Sequence, residues 1–184
     1  MFMTDIHLAL MIGSIRKNRH THKPAQALIR LFEEAGATVS VLDLRELDLP
    51  VFDDGIDHPG RIKLLETYAA CDGMVVVTPE YNHAISSAVS NAIDFARSGE
   101  MAGKPIVPVG VSRGGFGGVR AIESMRVQAF GLKSFCPPPY FAISKVEEFD
   151  PDNLPDGFEE YAKKFVDETI YWFRVIKDGK QAQQ

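Results

Sequence analysis

Short apolar runs alternate with amphipathic segments along most of this chain, and that alternation restricts the fold more than any other feature. Ile6-His7-Leu8-Ala9-Leu10-Met11-Ile12 stops at Gly13, the pattern of a buried strand. After a polar loop, Pro24 suits the first turn of a helix whose inner face carries Ala25, Leu28, Ile29, Phe32 and Ala35, with Gly36 as the stop. Thr38 to Leu42 reads as the second strand, and Leu44 to His58 as a long acidic loop. Pro59 opens the next helix, with Ile62, Leu65, Ala69 and Ala70 as the expected inner stripe. Met74 to Thr78 reads as the third strand, and Ser86 to Ala96 as a helix with Ala88, Val89, Ala92, Ile93 and Ala96 inward. Ile106 to Val111 is the fourth strand, where the interior Pro108 points to an edge or a bulge. A helix from Gly117 to Phe130 ends at Gly131. Ser134 to Ile143, with three prolines, reads as an irregular edge strand. Phe158, Tyr161, Ala162, Phe165, Thr169, Trp172, Phe173 and Ile176 mark a last amphipathic helix.

Five strands alternating with five helices predict a doubly wound α/β fold, a parallel sheet covered on both faces. One domain over residues 1–184 is expected, since that length suffices for a full core. A composition 45% apolar and 24% charged is that of a globular chain. The net charge of -5, with no basic block, speaks against nucleic-acid binding. No apolar run approaches the ~18 residues of a membrane span, and Met1 to Asp5 lacks a basic segment followed by an apolar stretch, so no signal peptide is expected. Cys71 and Cys136 form no CxxC pair, so reduced structural thiols in a cytoplasmic protein are expected.

In such sheets the loops leaving the strands share one edge, and ligands bind there at the switch point. Three unusual segments fall on those loops: Gly13 to Arg19 after the first strand, Pro79 to Ala84 after the third, and Ser112 to Gly118 after the fourth. With strand order 2-1-3-4-5 these loops converge. The first leads into a helix N-terminus, where free N–H groups and the dipole favour an anion. It is neither GxGxxG nor a Walker loop. It offers the Ser14 hydroxyl, the Arg16 guanidinium and the Asn18 amide, with Thr21 a turn later, a donor set that suits a terminal phosphate. A solvated basic loop is the plainer alternative. In the second loop Pro79 fixes the backbone, turn N–H groups can serve a flat ring, and Tyr81 offers an aromatic face or edge. An ordinary β-α turn is the alternative there. The glycines of the third loop allow close approach to a ligand, or a flexible lid.

His20, His22, His58 and His83 have neither helical i, i+4 spacing nor a matching Cys/Glu set, so no metal site is assigned. Ser14 lacks a nucleophile elbow. Asp43, at the end of the second strand, stands where a ribose-binding acid would, without the glycine fingerprint.

Gly13-Ser14-Ile15-Arg16, Pro79-Glu80-Tyr81-Asn82 and Asn91-Ala92-Ile93-Asp94, with the glycine-rich loop from Ser112, resemble the NAD(P)H-dependent FMN reductase family of flavodoxin-like proteins. The likeness spans nearly the whole chain in element order. It implies non-covalent FMN, with the phosphate on Ser14, Arg16 and loop groups such as Asn18 and Thr21. It implies Pro79, Glu80, Tyr81 and Asn82 along the isoalloxazine, and Ser112, Gly114 and Gly115 near its other side. It further implies NADPH or NADH as electron donor, a flavin, quinone, azo or metal-ion acceptor, and a homodimer or homotetramer with the flavin near the subunit interface. No catalytic side chain is assigned. Relatives commonly carry Pro-Gly where this chain has Ser86-Ser87, and serine can still cap a helix there. A flavodoxin-like electron carrier, an FMN-binding redox sensor and a non-flavin phosphate module are the competing readings.

Overall fold

The computed structural model describes residues 5–53, 55–151 and 153–182, without the side chains of residues 97 and 98. Strands β1 (His7–Ile12), β2 (Thr38–Asp43), β3 (Gly73–Pro79), β4 (Ile106–Val111) and β5 (Phe141–Ile143) form one five-stranded sheet, all neighbours parallel, in the order β2-β1-β3-β4-β5. Parallel neighbours cannot be joined by a tight hairpin, so helices make the returns. They are α1 (His22–Glu34), α2 (Leu44–Leu47), α3 (Pro59–Ala70), α4 (Ser87–Asp94), α5 (Val119–Gly131) and α6 (Phe158–Gln181). One turn of 3-10 helix, Phe95–Ser98, follows α4.

Every residue of β3 and β4 is buried, because helices cover both faces of the sheet. Leu8, Leu10, Val75, Val77, Val107 and Val109 pack with α1 and α6 on one side. Ala9, Met11, Met74, Val76 and Ile106 pack with α3, α4 and α5 on the other. The two sets alternate along each strand, as the pleat requires.

Four sequence readings change. The acidic loop after β2 contains α2, whose N-cap Asp43 accepts a hydrogen bond from the Arg45 N–H at 3.0 Å. In α3 the buried stripe is Gly60, Leu64 and Tyr68, whereas Ile62, Ala69 and Ala70 are exposed. Tyr68 sets that phase: it is wholly buried and its hydroxyl donates to the Ala92 carbonyl at 3.3 Å. Gly60 lets α3 meet α2, since a Cβ there would lie 2.0 Å from the Leu47 carbonyl oxygen. Pro108 is neither at an edge nor in a bulge. Ile106 and Ser112, of the same parity, donate their N–H groups to Phe135 and Ile143 on the β5 side. Pro108 thus turns its missing N–H toward β5, which pairs only from Val109 onward. The edge strand itself shrinks to β5, because the prolines at 137–139 supply no N–H groups for a ladder.

Candidate functional site

Because β1, β3 and β4 are neighbours, their outgoing loops meet. The Gly13 N–H donates to the Val77 carbonyl at 2.8 Å and the Glu80 N–H to the Val111 carbonyl at 3.1 Å, stitching successive loop starts together. The loops enclose a cavity of about 390 Å³, of ligand-pocket size.

The first loop lies tight against α4. A Cβ on Gly13 would sit 2.5 Å from Val89 Cγ2, so glycine is required by contact. Ser86 Oγ donates to the Gly13 carbonyl at 2.5 Å and accepts from the Val89 N–H at 3.2 Å, so it caps α4 while anchoring the loop. Ser14 is buried, and its Oγ shares a 3.1 Å hydrogen bond with the Tyr81 hydroxyl, joining first loop to second. Arg19 donates to the Ser14 carbonyl at 3.0 Å and forms a bidentate pair with Asp43, both contacts at 2.5 Å. Thr21, at the N-cap of α1, is 2% exposed and its Oγ1 has no partner among the described residues.

The second loop is a two-residue hairpin turn. Tyr81 and Ala84 exchange N–H···O hydrogen bonds of 3.0 Å, and both intervening residues have positive φ, 49° at Asn82 and 65° at His83. That is the type I′ geometry, whose preferred pair is Asn-Gly, so His83 stands where glycine is usual. Glu80 accepts from the Arg120 N–H at 3.2 Å, putting a carboxylate at the N-terminus of α5. His83 Nδ1 stands 3.7 Å from Glu80, but the His83 side chain is 73% exposed.

In the third loop Gly117 and Gly118 hold φ of 63° and 79°, and Gly118 has no room for a Cβ beside the Val111 nitrogen, 2.6 Å away. Gly114 and Gly115 have open space instead. Ser112 Oγ donates to the Gly114 carbonyl at 3.0 Å. Phe116 is 72% exposed, with the Arg120 guanidinium 5.6 Å from its ring centre. Glu147 pairs with Arg113 at 2.7 Å and lies 3.7 Å from His20, linking third and first loops.

Of the residues expected from sequence, Ser14, Arg16, Thr21, Pro79, Glu80, Tyr81, Ser112 and Gly114 line this cavity, while Asn18, Asn82 and Gly115 lie outside its lining. The lining adds Arg19, His20, Val111, Arg113, Phe116, Arg120 and Val146. A large aromatic within a run of glycines was a readable signal for Phe116. Val146 and Arg120 come to the site only through the fold. Among the described residues no group of three or more His, Cys, Asp and Glu is arranged to hold a metal ion, and no helix is long and apolar enough to cross a membrane.

Comparison with known proteins gives a consistent picture. An NADPH azoreductase from a Bacillus species is 30% identical over 89% of this chain and 88% of its own. A quinone reductase from Pseudomonas putida is 28% identical, covering 91% of this chain and 95% of its own. Among solved structures, a flavoenzyme NAD(P)H:(acceptor) oxidoreductase from Paracoccus denitrificans shares the fold, with a TM-score of 0.81 at 24% identity over 92% of this chain and 98% of that one. Residues 6–148 match the family described as NADPH-dependent FMN reductase. The chain therefore belongs to the NADPH-dependent FMN reductase family of oxidoreductases.

Proposed function

We propose that the cavity where β1, β3 and β4 end binds FMN, and that the protein passes electrons from NADPH or NADH to a small acceptor of the flavin, quinone, azo or metal-ion class. The observation that carries this reading is the donor set at the start of α1. The Thr21 hydroxyl is buried without a partner, the Ser14 hydroxyl is buried beside Tyr81, and the Arg16 guanidinium lines the same cavity. Hydroxyl and guanidinium donors at a helix N-terminus match a phosphate monoester. The residues present thus fit the phosphate of FMN. When bound, FMN supplies the redox chemistry, accepting hydride from a nicotinamide and releasing electrons to the acceptor.

This chain's own residues bind and orient. Ser14, Arg16 and Thr21 hold the phosphate. Pro79 to Tyr81, braced by the I′ turn, set the plane of the ring, and Gly114 admits it closely because no Cβ intervenes. Proton transfer needs no assigned side chain, as His83 points to solvent and Glu80. The relatives named as azoreductase and quinone reductase support the acceptor classes.

A homodimer or homotetramer belongs to the same proposal. Ile15 and Val51, 55% and 86% exposed, border an open concavity of about 640 Å³ along α4, floored by Ala88 with Ser87 and Ser90. Small side chains on α4 allow close approach of a second copy. Free cysteines support a reducing, cytoplasmic compartment. The deciding measurement is the visible spectrum of the FMN-loaded protein under anaerobic NADPH or NADH. Bleaching of the flavin band, restored by a quinone or azo dye, is expected. A spectrum that no nicotinamide changes leaves a carrier or sensor, and failure to retain FMN ends the reading.

A further inference from the structure

We propose that Arg45, on α2, is a positioning residue that sets the phosphate-binding loop from outside the cavity. The inference rests on the FMN reading above. Arg45 Nη1 donates to the carbonyls of Arg16 and Lys17, at 3.1 and 3.0 Å. These are consecutive peptide groups in the loop that carries Arg16 into the cavity. A trans peptide is planar, with its C=O and N–H pointing opposite ways. Engaging both carbonyls on the Arg45 side therefore turns the N–H groups of Lys17 and Asn18 away from Arg45. Runs of backbone N–H groups turned to one side attract anions, whereas free carbonyl oxygens repel them. Lys17 and Asn18 themselves lie outside the cavity lining, so the hold acts by fixing the loop that presents Arg16 and by keeping these two carbonyls turned toward Arg45.

Arg45 is itself held by Asp43. One Asp43 oxygen accepts from the Arg45 N–H at 3.0 Å and from Arg19 at 2.5 Å, while the second accepts from Arg19 at 2.5 Å. Arg19 in turn holds the Ser14 carbonyl. The end of β2 thus grips the loop at Ser14, Arg16 and Lys17 through two arginines on one carboxylate. Asp43, placed where a ribose-binding acid would be, is used internally. Arg45 borders the open concavity along α4 and is absent from the lining of the cavity at the sheet edge, so its effect on a ligand there passes through the loop.

The test compares wild type, Arg45→Ala and Arg45→Lys in fluorescence titrations with FMN and with riboflavin, which lacks the phosphate. Thermal melts of the flavin-free proteins accompany them. Lysine keeps the charge but not the rigid fork. Both variants are expected to bind FMN about tenfold more weakly, the effect of one or two hydrogen bonds, with riboflavin affinity within about twofold of wild type. Wild-type FMN affinity in Arg45→Lys would reduce the role to long-range charge and overturn the proposal. Equal losses for FMN and riboflavin would overturn it as general loosening. Unchanged FMN affinity in both variants, with wild type still favouring FMN over riboflavin, removes the Arg45 role and spares the FMN reading. No preference for FMN in wild type removes both.

Discussion

A hydroxyl buried without a hydrogen-bond partner costs roughly 1–3 kcal/mol, and Thr21 carries one at the start of α1. The position gains from it only if a ligand supplies the acceptor. Thr21→Val keeps the shape and removes the hydroxyl, so the flavin-free protein is expected to gain about 1 kcal/mol in denaturant unfolding. The same change is expected to weaken FMN binding about tenfold. Tighter or equal FMN binding would remove Thr21 from the phosphate site. His83 presents a different local conflict. Its φ of 65° places a non-glycine residue in the left-handed region at the corner of the I′ turn, at a cost of roughly 1–2 kcal/mol, of which glycine's extra chain entropy would give back about half. His83→Gly is thus expected to stabilise the protein by about 0.5 kcal/mol. The proposed function routes no proton transfer through it, so flavin reduction by NADPH should stay within about tenfold of wild type in stopped-flow. A hundredfold loss would mark general acid catalysis.

At the level of elements, α6 closes one face of the sheet by a fit between a ring and a missing side chain. Phe173 is wholly buried, and a Cβ on Gly73 would lie 2.6 Å from its Cε2. Around it Phe165 packs against Phe32 and Phe141, joining α6 to α1 and β5. Phe173→Ala leaves a cavity against β3 and is expected to cost about 3–5 kcal/mol in urea unfolding. A loss below about 1 kcal/mol would show that α6 covers the sheet without bracing it. The partner face is built differently. There Gly60 admits the Leu47 carbonyl, so the short α2 packs on α3 and is held in place to present Arg45.

For the molecule as a whole, buried acids set the alkaline limit of stability. Burial pushes up the Tyr68 hydroxyl and the Cys71 thiol, and moves the Cys136 thiol from 9.0 to about 11. Below about pH 8 both folded and unfolded chains keep these protons, and the groups add no pH dependence. Above it the unfolded chain ionises first, unfolding releases protons, and stability falls with rising pH. Lys177 acts in the same direction: burial works against its charge, but Asp72 and Asp5 outweigh it and raise the ammonium's pKa. Lys180 opposes it, since burial lowers its pKa. The unfolding midpoint is expected to be flat from about pH 7 to 8 and to drop toward pH 11. A flat profile to pH 11 would contradict the burial of these groups.

Element order, the parallel sheet, and the gathering of three loops at one edge could be read from the sequence, because each depends on local periodicity and on the rule that parallel strands need crossovers. That Ser14, Arg16, Thr21 and Pro79 to Tyr81 line the cavity at that edge was legible for the same reason: they lie on the segments between a strand and the helix that follows it. The phase of α3 was not, because Tyr68 reads as polar until its hydroxyl finds Ala92. Nor was the length of β5, which depends on where β4 lends it a partner. The sequence by itself determined the order of strands and main helices and which loops gather at one edge of the sheet. Only the tertiary structure decided that Asp43 meets Arg19 and that Arg45 reaches back to Arg16. Those contacts bridge segments that local pattern cannot relate, since charge and hydrogen-bond geometry act through space and not along the chain.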